Sequence, residues 1–211
     1  VPDVMTVPEI ISRLHSRWMG RNCIFLETVD STNNYLKRAA EDGAVNGTLA
    51  VAEEQTGGKG RRGRSWETPK GSNIAMTILL RPEIRPEHAS RLTLLMAMAV
   101  VRGIQKETGL QAGIKWPNDV VVSHKKICGI LTEMGVRDGK IDYAVIGVGI
   151  NVNIKGFPEE MADKATSLYL EAGREFDRSQ IPGLVMEAFE GYYDKFAATC
   201  DLSGLKDEYE S

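Results

Sequence analysis

Ten consecutive positions, Gly57-Gly58-Lys59-Gly60-Arg61-Arg62-Gly63-Arg64-Ser65-Trp66, combine four glycines, four cations and an indole. Glycine lets backbone N–H groups come close to a ligand and turn through φ > 0, while Lys59, Arg61, Arg62 and Arg64 bring full positive charge, three of them as planar forks. Such a loop suits an anion. A merely solvated basic turn would account for the charge but not for the glycine density, because four neighbouring cations repel one another when nothing lies between them.

Three common phosphate folds do not fit this loop. Gly58-x-Gly60-x-x-Gly63 satisfies the dinucleotide spacing, but that spacing has meaning only where a helix starts directly after the glycines, and Pro69 and Gly71 oppose one. Lys59 is followed by Gly60 where a Walker loop needs Ser or Thr. Lys115-Trp116-Pro117 does not match the strand lysine of protein kinases, and no catalytic-loop signature follows. The cations themselves must therefore clamp the ligand.

Three further clusters carry polar groups to the ends or edges of apolar runs. Lys115-Trp116-Pro117-Asn118-Asp119 ends a strand with two polar side chains, and Pro117 restricts the backbone there. Lys125-Lys126-Ile127-Cys128-Gly129-Ile130-Leu131 opens a strand with lysine and places at Gly129 a residue that blocks nothing. Gly147-Val148-Gly149-Ile150-Asn151 closes the next strand with glycines that allow close approach. Taken singly, each also reads as an ordinary turn or a solvated edge.

The elements that must position these groups follow from periodicity and caps. Thr6-Val7-Pro8-Glu9 has capping-box spacing, and Ile10, Ile11, Leu14 and Trp18 recur on one face, which predicts a short helix ending near Gly20. Residues 23–29 read as a strand and 33–40 as a helix stopped by Gly43, so Ser31 and Thr32 sit at a helix N-terminus. Strands are predicted at 49–53 and 73–80, joined by the glycine-rich loop. A long helix over 86–106 ends at Gly109, and apolar runs at 114–116, 120–122, 127–134 and 141–148 predict an antiparallel meander. Asp177 is the expected cap of a last helix carrying Ile181, Leu184, Val185, Phe189, Tyr192 and Phe196. The fold class is α+β: a mixed, mostly antiparallel sheet covered by helices.

Bulk properties narrow the partners. A net charge of −3 provides no global field for drawing the chain onto DNA or a membrane, so the cationic loop is a local exception. Cys23, Cys128 and Cys200 are odd in number and lack metal-ligand spacing, which fits incidental thiols in a reducing compartment. Neither a spanning segment nor a signal peptide is legible, and a cytoplasmic location is expected.

In this order the clusters resemble those of the biotin protein ligases, which share a class II aminoacyl-tRNA synthetase-like fold. The resemblance rests on Asp30-Ser31-Thr32-Asn33, Gln55 to Trp66, Lys115 to Asp119, Lys126 to Glu133 and Gly147 to Asn151. It implies an ATP-dependent ligase that forms biotinyl-AMP and passes the biotinyl group to a lysine of a biotin carboxyl carrier protein. Lys126, Arg61, Arg62 and Arg64 match the catalytic positions. Ser31, Thr32, Asn33, Gln55, Gly58, Lys59, Gly129 and Gly149 match the biotin side, where Arg61 and Lys126 also contribute. Trp66, Asn118, Asp119 and Asn151 match the adenylate side, with the same three arginines and Lys126. Lys59 stands where the family commonly has arginine. Magnesium is implied by the ATP chemistry, without an assigned protein ligand.

The resemblance also implies boundaries and partners. Residues 1–20 resemble a connector helix and 21–211 the catalytic domain, and the small β-barrel domain common after it is not expected in this chain. No DNA binding by these residues is expected, and a homodimer through the sheet edge near Val136 to Asp142 is a candidate assembly. The nearest alternative is a lipoate or octanoyl transferase of the same superfamily, which has the lysine but neither the arginine-glycine loop nor Lys-Trp-Pro-Asn-Asp.

Overall fold

Residues Asn73–Leu80 are buried at every position, as befits a strand covered on both faces. The computed structural model describes Met5–Leu205. Its strands are β1 (Asn22–Val29), β2 (Thr48–Gln55), β3 (Asn73–Leu80), β4 (Ala112–Lys115), β5 (Asp119–Val122), β6 (Lys125–Arg137) and β7 (Lys140–Asn151). They form one seven-stranded sheet in the order β1-β2-β3-β7-β6-β5-β4. β1 and β2 pair in parallel, and the other neighbours pair antiparallel. This is the mixed, mostly antiparallel α+β sheet that the apolar runs predict. The stretch from Asp207 to Ser211, where the chain was expected to stop short of a further domain, lies outside the described residues.

The helices are α1 (Val7–Ser12), α2 (Thr32–Glu41), α3 (Ala89–Thr108), α4 (Glu159–Ala162), α5 (Leu168–Ala172) and α6 (Gln180–Thr199). Side chains alternate across a strand, and the two faces of the sheet are covered differently. Ile74, Met76, Ile78 and Leu80 of β3 join the main core with Leu92 and Met96 of α3 and Val185 and Phe189 of α6. On the opposite face Leu79, Tyr143 and Val145 pack with Leu36 and Ala40 of α2. Helix α2 covers only part of that face. Further along it, small and polar residues replace the apolar ones, and the pocket lies there.

Two expectations about helices need correction. The first helix stops at Ser12 rather than near Gly20, although Thr6 caps it by accepting from the Glu9 N–H. The Glu190 carboxylate of α6 explains the early stop. It accepts from the backbone N–H groups of Arg17, Trp18 and Met19, so these donors serve a tertiary contact instead of another helical turn. The cap of α6 is Ser179, not Asp177. Asp177 Oδ1 takes the Ser179 N–H and hydroxyl at 3.0 and 2.6 Å, and so acts through the cap residue.

Glu190 also predicts a pH dependence. Burial alone would raise its pKa, but the N–H groups of Arg17, Met19 and Trp18 and the Arg17 guanidinium outweigh it and hold the carboxyl below its ordinary range. A group with a depressed folded pKa contributes stability above its unfolded pKa, ~4.3, and that contribution is lost as pH falls through the lower folded value. Glu190→Gln is expected to cost about 1–3 kcal/mol at neutral pH and progressively less below about pH 4, read from denaturant melts. An equal cost at both ends of that range would contradict the linkage.

β5 pairs with β6 only as far as Gly129, so from Leu131 to Arg137 the ladder of β6 is with β7 alone. Met134 and Val136 are exposed on this stretch. Among the described residues no helix is long and apolar enough to cross a membrane. All three cysteines are free thiols, and burial pushes Cys23 up to about 11 and Cys128 higher still, so neither is a nucleophile at neutral pH.

Candidate active site

The glycine-rich loop closes on itself before it meets the rest of the chain. Gly60 N–H donates to Arg64 O at 2.7 Å and Trp66 N–H to Gly58 O at 2.9 Å, around a tight turn over Arg61–Gly63. Gly58 has to be glycine because a Cβ there would overlap the Trp66 carbonyl. Arg62 takes φ of +58 at the apex. Folded this way, the loop lays the Trp66 indole over the sheet.

The sheet is shaped to receive it. Gly129 of β6 and Gly149 of β7 are direct partners in the ladder, and a Cβ on Gly149 would overlap the indole while one on Gly129 would lie 3.1 Å from it. Two facing glycines on adjacent strands therefore make a slot only as deep as the missing side chains. Gly147, two residues before Gly149, faces the same side, and a Cβ there would overlap Asn33. The indole Nε1 is buried without a hydrogen-bond acceptor, a donor that a ligand oxygen could satisfy.

One end of the pocket is neutral and polar. Gln55 Oε1 accepts from the Thr32 N–H and hydroxyl at 2.9 and 3.1 Å, and its amide donates to Thr68. The Thr77 hydroxyl bridges Thr32 Oγ1 and Asn33 Oδ1, both at 2.8 Å. Asn33 Nδ2 in turn holds Leu131 O and Glu133. Burial would raise the Glu133 pKa, but hydrogen bonds from Lys37 and Asn33 outweigh it and keep the carboxyl low. Ser31 is the cap residue of α2 yet makes no side-chain cap bond, which leaves its hydroxyl available to a ligand.

The other end is cationic. Lys126 is fixed by its backbone, which donates to Lys164 O at 2.8 Å and accepts from Thr166 N–H at 2.9 Å. Its ammonium lies 5.4 Å from the centre of the Trp66 ring and 2.8 Å from Asp119 Oδ1. The Asp119 contact is close but not aligned as a hydrogen bond, so the two groups meet as an ion pair. Arg61 Nη1 donates to Asn118 Oδ1 at 3.0 Å across the mouth, and Asn118 Nδ2 is tied to Ile130 O at 3.1 Å.

Of the residues singled out in the sequence, Ser31, Thr32, Asn33, Gln55, Lys59, Arg61, Trp66, Asn118, Lys126, Gly129 and Gly149 line this single pocket. Gly58 and Asp119 are outside the lining but touch it, Gly58 at Trp66 and Gln55 and Asp119 at Lys126. Arg62 and Arg64 are exposed and, among the described residues, their side chains make no hydrogen bond or ion pair. Asn151 is placed differently: it is buried, donates to Thr166 O at 3.0 Å and accepts from Asn73. In this structure it therefore ties strand ends together outside the lining. Sequence reasoning named Gly147 among glycines that allow close approach without giving it a ligand role, and it missed Thr77 and Thr68 as supports. The two-residue spacing of Gly147 and Gly149 was the available signal for the first; nothing local marked the threonines.

Residues 25–151 match the Biotin/lipoate A/B protein ligase family. The chain belongs to that family. It is 40% identical over 194 residues to the bifunctional ligase/repressor BirA of Bacillus subtilis, covering 91% of this chain and 60% of that protein. It is 34% identical over 171 residues to the biotin–[acetyl-CoA-carboxylase] ligase of Paracoccus denitrificans, covering 78% of this chain and 70% of that one. Its fold superposes on the biotin protein ligase from Aquifex aeolicus, solved in complex with biotin and ATP, with a TM-score of 0.72 at 34% identity, covering 85% of this chain and 73% of that one. The chain thus spans about 60% of the length of the Bacillus relative.

Proposed function

We propose that this chain is an ATP-dependent biotin ligase. The carrying observation is one pocket that is neutral and hydrogen-bonding at its Thr32–Gln55 end, glycine-floored in the middle, and cationic at Lys126 and Arg61. Biotin has a polar ureido ring, a fused apolar thioether ring and aliphatic chain, and a carboxylate, in that order, and such a gradient accommodates it end to end. The relatives named as biotin ligases support the same reading.

In the first step a biotin carboxylate oxygen attacks the α-phosphorus of ATP; a P–O bond forms, the bond to the β-phosphate bridging oxygen breaks, and pyrophosphate leaves. Two anions must meet, and Lys126 with Arg61 offsets their repulsion, while the exposed Arg62 and Arg64 are the proposed partners of the phosphates. Lys126 exchanges its contact with Asp119 for the ligand oxygens. In the second step a lysine amine of a carboxyl carrier protein attacks the biotinyl carbonyl; a C–N bond forms, AMP departs with the electrons of the C–O bond, and a proton goes to solvent. Magnesium, held by the triphosphate, would offset part of its charge, and no chain residue is assigned to it.

The cytoplasm, where ATP and reduced thiols coexist, is the proposed location. Pairing of a second copy along the open β6 edge near Val136 to Asp142 is the proposed dimer, and sedimentation as a monomer at every concentration would remove it. The reaction itself is tested by mass spectrometry of a carrier domain incubated with this chain, biotin and ATP. A gain of one biotinyl group is expected; a gain with lipoate but none with biotin would transfer the chain to the lipoate branch of its family.

A further inference from the structure

The tip of the β4–β5 hairpin carries the most exposed large apolar side chain among the described residues, Trp116, with 80% of its surface open to solvent. Tryptophan is costly to leave uncovered and is enriched among the residues that dominate protein interfaces. Its setting is rigid. Lys115 and Asp119 close the hairpin as ladder partners, Asn118 is held to Ile130 through both side chain and backbone, and Asp119 meets Lys126. One residue, Pro117, therefore separates the indole from Asn118 at the pocket rim, and two separate it from the Asp119 carboxylate that contacts the proposed catalytic lysine.

The aromatic face required inside the pocket is already supplied by Trp66, so the inner chemistry leaves Trp116 without a task. What approaches from outside is the acceptor. Its amine must reach a mixed anhydride formed beside Lys126, and a folded protein that brings a lysine so deep has to cover the rim. That rim is cationic: Lys115 on the hairpin and Arg62 and Arg64 on the opposite loop are all exposed.

We propose that Trp116 is the docking anchor for the acceptor protein, a folded domain that presents its lysine from an acidic surface with an apolar hollow to cover the indole. This rests on the ligase reading above. Lys115 and, once pyrophosphate has left them, the loop arginines steer the acidic face, and the indole, covered on docking, sets how long it stays.

The test compares the full chain with its Trp116→Ala and Trp116→Phe variants, using a carrier domain and, separately, hydroxylamine as a small acceptor. For Trp116→Ala the KM for the carrier domain is expected to rise at least about tenfold, with kcat and hydroxylamine-supported pyrophosphate release within about twofold of the parent. Trp116→Phe should recover most of the loss. An unchanged carrier KM would overturn the assignment, as would a shifted KM for ATP, which would place the indole on the nucleotide, or a changed sedimentation coefficient, which would place it against a second copy. Failure of the unsubstituted chain to release pyrophosphate with biotin would instead sink the ligase reading itself.

Discussion

Replacing Lys126 by alanine is expected to slow biotin-dependent pyrophosphate release by about 100- to 1,000-fold, roughly 3–4 kcal/mol, the usual effect of removing one fixed donor from a preorganised site. The backbone of Lys126 is clamped between Lys164 and Thr166, so the ammonium is delivered to one place rather than searching for it. Alanine also leaves Asp119 without its cation, and a bare carboxylate there would repel the incoming triphosphate. The double variant Lys126→Ala/Asp119→Asn separates the two contributions: recovery of more than half of the loss on a logarithmic scale would assign most of it to repulsion rather than to lost stabilisation. Far-UV circular dichroism should not change, since Lys126 lies at the start of β6 with its side chain outside the core. Pyrophosphate release at the parental rate would remove Lys126 from the mechanism.

Arg61→Gly should act on retention as well as on the chemistry. The Arg61–Asn118 hydrogen bond joins the loop to the β4–β5 hairpin across the mouth of the pocket, and a hydrogen bond from a charged donor is worth about 1.5–3 kcal/mol. Its loss, with a more flexible residue in its place, is expected to speed escape of biotinyl-AMP by about 10- to 100-fold. A free mixed anhydride acylates any accessible amine, so bystander proteins without a carrier fold should become biotinylated in proportion to the ligase present. Release of labelled adenylate by rapid filtration checks the first expectation and streptavidin blotting of serum albumin the second. Slower release from the variant would contradict a closing role for Arg61.

The basic loop shows how far residue types carry and where they stop. Its glycines and cations suggest an anion site, and the proline and glycine after it oppose a helix-borne phosphate cradle; in the structure Lys59, Arg61 and Trp66 line the pocket. Why particular glycines are required was not legible. Gly58 is set by the Trp66 carbonyl and Gly149 by its ring, contacts that exist only once the loop has folded over the sheet. Asn151 shows the converse: a polar residue after two glycines at a strand end looks available to a ligand, yet its amide is already committed to Thr166 and Asn73. Whether a buried amide is free depends on neighbours that its local sequence does not name.

The first helix stopped early for the same kind of reason. Capping and periodicity, which are local, were sufficient to start it at Thr6, but its end was decided by a carboxylate about 170 residues away. The sequence by itself determined the inventory of charges and the types and order of the strands and longer helices, though not α4 and α5, because strand and helix periods are written in neighbouring residues. Tertiary structure decided which of those charges meet. Thr32 with Gln55, Asn33 with Leu131, Arg61 with Asn118, and Trp66 with Gly129 and Gly149 are all distant in sequence. Only the packing of the loop, α2 and the β6–β7 ladder brings them together, and hydrogen bonding and burial depend on that separation in space rather than on the spacing along the chain.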